Sequence, residues 1–274
     1  MNLNSLHSLS SSFPTSERMP VLFIGHGSPM NAIEDNTFSK EWQRIGKSLP
    51  KPNAIICISA HWETKGTFVT AMEKPPTIHD FGGFPQSLFD VQYPAPGHPE
   101  LATALSQFEQ PNITLDQQWG LDHGAWSILK HLYPNADVPV LELSIDFTLK
   151  PEQHYQLAKQ LSVLRDRGVL IIGSGNMVHN LRMVEWSKLN VENYSFDWAA
   201  EANTKMKSFI DSFDHASLID FSNQGQAFKL AIPTSEHYIP LLYTIGMSTK
   251  ADNVRLFNDV AVGGSLTMTS VQFG

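Results

Sequence analysis

Five of the chain's eleven histidines stand where a side chain can do chemistry. His26 ends the run Val21-Leu22-Phe23-Ile24-Gly25 and leads into Gly27-Ser28-Pro29. His61 follows Ala54-Ile55-Ile56-Cys57-Ile58-Ser59-Ala60, and His179 lies just past Val169-Leu170-Ile171-Ile172-Gly173-Ser174-Gly175. His123 sits between Asp122 and Gly124, and His237 follows Glu236. Apolar runs of this kind that stop at glycine read as buried strands delivering their last side chains into loops, where residues without Cβ let backbone come close to a ligand. Neutral imidazole is the commonest transition-metal ligand and the acid–base group best matched to neutral pH. One such histidine is more often a structural ring bonded to backbone. Five together favour a shared site, because ligands of open α/β sheets sit outside the carboxyl ends of the strands. His7, His98, His131, His154 and His215 fall in polar or turn contexts and read as solvated rings.

The spacing matches no short metal signature such as His-Glu-x-x-His. Gly25-His26-Gly27-Ser28-Pro29 is not a Gly-x-Ser-x-Gly nucleophile elbow, and Gly173-Ser174-Gly175-Asn176 lacks the remaining glycine of a dinucleotide fingerprint.

The elements that must carry these residues follow a βαβ rhythm. Thr37 to Leu49 places Phe38, Trp42, Ile45 and Leu49 at helical spacing and stops at Pro50. With the strands on either side it makes a βαβ unit, and the nearly continuous apolar character of those strands predicts cover on both faces. Lys74 to Pro99 is a long loop rich in proline, glycine and aromatics, read as an ordered binding surface. Helices are expected over 100–109, from Trp119-Gly120-Leu121-Asp122-His123 through His131, over 151–168 and over 198–213. Strands are expected at 112–115, 138–145 and 169–173. Thr234 or Ser235 would cap a helix carrying Glu236 and His237, and two closing strands flank Gly263-Gly264. The reading is a single three-layer α/β domain over 19–274 with a mixed, mainly parallel sheet flanked by helices, preceded by a Ser- and Asn-rich flexible leader over 1–18.

Composition excludes several classes. A net charge of −8, a pI near 5.7 and the lack of any Lys/Arg run argue against nucleic acid. No apolar stretch approaches the ~20 residues of a spanning helix, so no membrane partner is expected. The single cysteine, Cys57, rules out an internal disulfide, reads as core, and fits a reducing cytoplasm.

Gly25-His26-Gly27-Ser28-Pro29-Met30, Ser59-Ala60-His61-Trp62, Pro76-Thr77-Ile78-His79-Asp80-Phe81-Gly82-Gly83-Phe84-Pro85, Trp119-Gly120-Leu121-Asp122-His123-Gly124, Gly173-Ser174-Gly175-Asn176-Met177-Val178-His179-Asn180-Leu181 and Glu236-His237-Tyr238 together resemble the 4,5-DOPA extradiol dioxygenases. These belong to the class III, LigB-like ring-cleavage enzymes, and the bacterial branch is the nearest in pattern. The resemblance runs in order from about Met19 to the C-terminus. It implies one divalent metal per chain, Fe(II) for activity and Zn(II) in purified protein, held by His26, His61 and His237. His179 is then a further ligand or the acid–base group, His123 lines the substrate side, and His79, Phe81 and Ser28 contact a catechol. Glu236, adjacent to His237, is the alternative ligand. The implied partners are a catechol and O2, in a monomer or small homo-oligomer. A zinc hydrolase using a histidine-bound metal water, and a non-catalytic metal- or catechol-binding protein, are the competing readings.

Overall fold

The apolar runs form strands β1 (Val21–Gly25), β2 (Ala54–Ser59), β3 (Val140–Glu142) and β4 (Val169–Gly175), every residue of which is buried. In this computed structural model, which describes residues 16–108 and 111–274, they lie parallel in the order β3-β2-β4-β1. Two antiparallel strands, β5 (Val254–Phe257) and β6 (Ser270–Phe273), extend the sheet beyond β1, with β6 the inner of the two.

Successive residues of a strand face opposite sides, and the core divides accordingly. Val21, Phe23, Ile56, Ile58, Val169 and Ile171 pack under helices α3 (Pro151–Leu161), α4 (Asp197–Asp211) and α5 (Ile239–Met247). Leu22, Ile24, Ile55, Cys57, Leu170 and Ile172 pack under α1 (Thr37–Ser48) and α2 (His123–Leu132). The result is the expected three-layer sandwich, with Cys57 in its core. The start of α1 is fixed locally: the Asn36 side chain accepts from the amides of Phe38 and Ser39, and the Ser39 hydroxyl accepts the Asn36 amide in return.

Several boundaries differ from the sequence reading. The stretch 138–145 breaks after Glu142, because Leu143 and Ser144 turn to bond Cys57 and Phe68, and Ile145–Asp146 pairs with Glu63–Thr64 instead. Beyond Leu161 the chain tightens into a 3-10 turn, Ser162–Arg167, ended by Gly168 at φ 71°. The helix expected over 100–109 covers Pro99–Leu105. Glu236 and His237 lie in a turn ahead of α5, where Tyr238 and Ile239 both bond the Ser235 carbonyl, and α5 starts only at Ile239. At Gly263-Gly264 a small ladder, Ala261–Val262 with Leu266–Thr267, precedes β6.

His154 is a correction of kind. It is buried on α3, with Nδ1 3.1 Å from the Tyr243 hydroxyl of α5, and burial lowers its pKa to about 4. A helical face that meets another helix takes a polar ring when a partner hydroxyl is provided. His131, His215 and His98 are half-buried and bonded too, to the Asn31 carbonyl, the Tyr155 hydroxyl and the Leu101 amide. His7 and most of the expected leader lie outside the described residues. Among the described residues no helix is long and apolar enough to cross a membrane.

Candidate metal centre

The carboxyl ends of β1, β2 and β4 lie side by side, and each passes a ring into the same crevice. His26 follows β1, with its amide bonded to the Gly175 carbonyl at the end of β4. His61 follows β2 after Ala60, whose amide bonds the Ser174 carbonyl. His237 arrives from the other side of the chain, its carbonyl accepting from the Asn176 amide. A Cβ at Gly175 would lie 2.1 Å from that carbonyl oxygen, so only glycine lets the two backbones meet. Gly27, at φ 62°, turns the chain away immediately after His26.

The ring centres of His26, His61 and His237 form a nearly equilateral triangle with sides of 4.9, 5.2 and 5.3 Å. Three imidazoles sharing one tetrahedral ion through nitrogens at about 2.0–2.1 Å place their ring centres roughly 5 Å apart. Nδ1 of His26 is 2.9 Å from the Ser174 hydroxyl, which itself donates to the Gly124 carbonyl at 2.6 Å. That hydroxyl has only one proton, so His26 carries the Nδ1 proton and leaves Nε2 as a lone pair. Nδ1 of His237 bonds a Glu236 carboxylate oxygen at 3.2 Å with the same consequence, and Nδ1 of His61 lies in contact with Asp80 at 3.5 Å. Nε2 of His26 and of His61 then face each other at 3.1 Å, two lone pairs that a shared cation would reconcile. The donor set therefore fits a divalent metal, and its composition fits Zn(II) as well as Fe(II).

Electrostatics agree. Burial, reinforced by the neighbouring rings, drives the His26 pKa well down and that of His61 to about 2. Burial and His237 lower His179 to about 3. These rings are neutral at pH 7, the form that ligates. Burial opposes ionisation of Glu236, yet the hydrogen bonds from His237 and its own backbone hold the carboxyl at about 2.

His179 stacks on His237 with centres 3.5 Å apart and planes 9° from parallel. Imidazole lone pairs lie in the ring plane, so two parallel stacked rings direct theirs along parallel planes. Ligand atoms within 4.8 Å of one another form two groups, His26 with His61 and His123, and His179 with Glu236 and His237, and the triangle of rings spans both. His123, first residue of α2, has its ring 3.9 Å from that of His61 and 5.7 Å from that of His26. Asp80 binds it twice, accepting its backbone N–H and its Nδ1–H, each at 2.9 Å.

The long loop is ordered, as its aromatics predict. The Ile78 amide donates to the Leu121 carbonyl and the Leu121 amide to the Pro76 carbonyl, Trp126 donates to the Ile78 carbonyl, and Gln86–Phe89 adds a helical turn. Phe81 sets its ring edge-on to His123 at 5.5 Å and packs on Phe84 and Phe89. His79 is one step removed: it touches Phe81 and bonds the Val91 carbonyl. Ser28 is exposed, and its hydroxyl caps the turn at Met30.

The sequence reading passed over Asp80, Ser174, and the buried pair beneath α2. Asp122 accepts from Ser59 and caps α2 at Ala125, while Glu142 accepts from the Asp122 amide and from Trp119 Nε1. Burial, and for Glu142 the charge of Asp122, raises both carboxyls. Asp80 was visible within Pro76-Thr77-Ile78-His79-Asp80-Phe81, but nothing local marks which histidine it serves.

Fold and site together define an α/β protein with a histidine-lined metal centre at the carboxyl edge of its sheet. The family described as the catalytic LigB subunit of aromatic ring-opening dioxygenase matches residues 20–259, and the chain belongs to it. It is an oxidoreductase of the extradiol dioxygenase class, in a metal-dependent family whose reaction joins an aromatic substrate and O2. A protein of Escherichia coli K12 named 4,5-DOPA dioxygenase extradiol is 45% identical over 265 residues, covering 95% of this chain and 96% of that one. The beet (Beta vulgaris) protein of the same name is 35% identical over 92% of this chain and 95% of its own length. The crystal structure of an uncharacterized E. coli K12 protein superposes with a TM-score of 0.79 at 38% identity, covering 94% of this chain and all of that one.

Proposed function

We propose that this chain cleaves L-DOPA or a similar catechol at the 4,5 bond, giving a seco-DOPA that can cyclise to betalamic acid, with both atoms of O2 retained in the product. The reading places one divalent metal on His26, His61 and His237, within a catalytic domain spanning 19–274 that works in the cytoplasm as a monomer or small homo-oligomer. The observation that carries it is the triangle of rings, in which Nδ1 of His26 and of His237 is hydrogen-bonded outward and Nδ1 of His61 lies against Asp80.

Iron(II) held by these residues would supply open coordination and the redox change that zinc lacks. His123, with its Nδ1 proton committed to Asp80, has Nε2 free to accept a proton from the catechol hydroxyl. Phe81 walls that side of the crevice and favours a planar aromatic ring. His179, neutral and stacked beside His237, shuttles the proton that accompanies ring opening.

Reconstituting metal-free protein anaerobically with Fe(II), then adding L-DOPA and air, tests this. Oxygen uptake with a yellow product is expected. No uptake across several catechols would sink the dioxygenase reading, and ester hydrolysis with zinc alone would install the hydrolase in its place.

A further inference from the structure

We infer that Asp80 is a positioning residue whose single carboxylate fixes both His61 and His123 with Nδ1 protonated, so that the metal-holding ring and the proton-accepting ring are oriented by one group. Oδ2 of Asp80 is 2.9 Å from Nδ1 of His123 and 3.5 Å from Nδ1 of His61, while Oδ1 accepts the His123 amide at 2.9 Å. A carboxylate accepts, so the bonded His123 ring presents Nδ1–H to it and turns Nε2 into the crevice, and the same oxygen lies close enough to His61 to draw its Nδ1–H the same way.

The carboxylate is held in place to do this. Its loop is pinned to the chain just before α2 by the bonds between Ile78, Leu121 and Pro76, and by the Trp126 indole on the Ile78 carbonyl. Its side chain is 16% exposed, and those of His123 and His61 are 6% and 21% exposed. His26 and His237 have separate acceptors, Ser174 and Glu236. Among the described residues, Asp80 is the carboxylate that faces two of these rings.

This rests on the ring-cleavage reading for the roles of the two histidines, but the tautomers can be read without turnover. The test is nitrogen-15 NMR of the histidine rings in the Zn(II)-loaded protein, wild type against Asp80→Asn. The asparagine keeps one acceptor and turns an NH2 donor toward the rings. Wild type is expected to show His61 and His123 as Nδ1–H tautomers, and Asp80→Asn to convert His123 to Nε2–H. Zn(II) affinity, measured by competition with a chelator, should fall about 10- to 100-fold, the range for lost outer partners of metal-bound histidine. A Zn(II) affinity loss that persists in the His123→Ala background would show that Asp80 also acts through His61. Unchanged tautomers and unchanged Zn(II) affinity in a folded Asp80→Asn protein would overturn the inference. So would an affinity loss that vanishes in the His123→Ala background.

Discussion

The two edges of the central sheet carry buried polar networks built on opposite rules. At the amino edge, fully buried Arg165 donates to the carbonyls of Met19, Met247 and Phe273 and makes two bonds to Asp252, at 2.8 and 2.9 Å. Every donor that it turns inward meets an acceptor, and it ties the entry to β1, the end of α5 and the last strand into one knot. At the carboxyl edge, His26 and His61 face each other through lone pairs, and their outer nitrogens alone are matched. A satisfied network stabilises a fold. An inward-facing surplus of donors to a cation stores that stabilisation for a ligand, which is how functional sites depart from the rest of a protein.

Separating the two edges experimentally starts with the largest effect. His61→Ala should abolish retention of Fe(II) or Zn(II), seen by elemental analysis after gel filtration, and oxygen uptake with it. The metal-free protein should lose less than about 1 kcal/mol, as a half-buried ring facing a like lone pair contributes little. His179→Ala should mainly lower turnover and leave metal content in place; equal metal loss in both variants would make His179 a ligand. Arg165→Met should do the reverse, costing about 3–5 kcal/mol in urea unfolding because the carbonyls of Met19, Met247 and Phe273 lose their donor and Asp252 its ion-pair partner. At low temperature its metal content should match wild type, and parallel loss of metal would dissolve the distinction between edges.

A third probe is acid. His154 titrates at about 4 in the folded chain against an ordinary 6.5, so between those values the unfolded chain binds more protons. Stability should be full above about pH 6.5 and decline as pH falls toward 4, by about 3 kcal/mol for this ring. His154→Gln should flatten that slope, and an unchanged slope would remove His154 as its source. The smallest effect is local: Asn36→Ala should cost about 1 kcal/mol through the lost cap of α1 and leave kcat and KM alone. A change in turnover would mean that the α1 entry is coupled to the site.

How much was legible in the sequence follows the range of the interactions. Strands β1, β2 and β4, helix α1 and the three-layer class were readable because apolar period and capping residues act within a few positions. That five histidines come together was readable from strand ends and from the family resemblance, and the rings of His26, His61, His123, His179 and His237 do cluster. The burial of His154 was not, since it depends on Tyr243 of a helix 89 residues away. Nor was the split of 138–145, which partners from elsewhere impose. Sequence alone determined the strand-end histidines and the chemistry of an imidazole site, because residue type and local period fix both. Only tertiary structure decided which nitrogen of each ring faces inward and that Asp80 serves two of them, because a tautomer is set by acceptors that the chain brings from dozens of residues away.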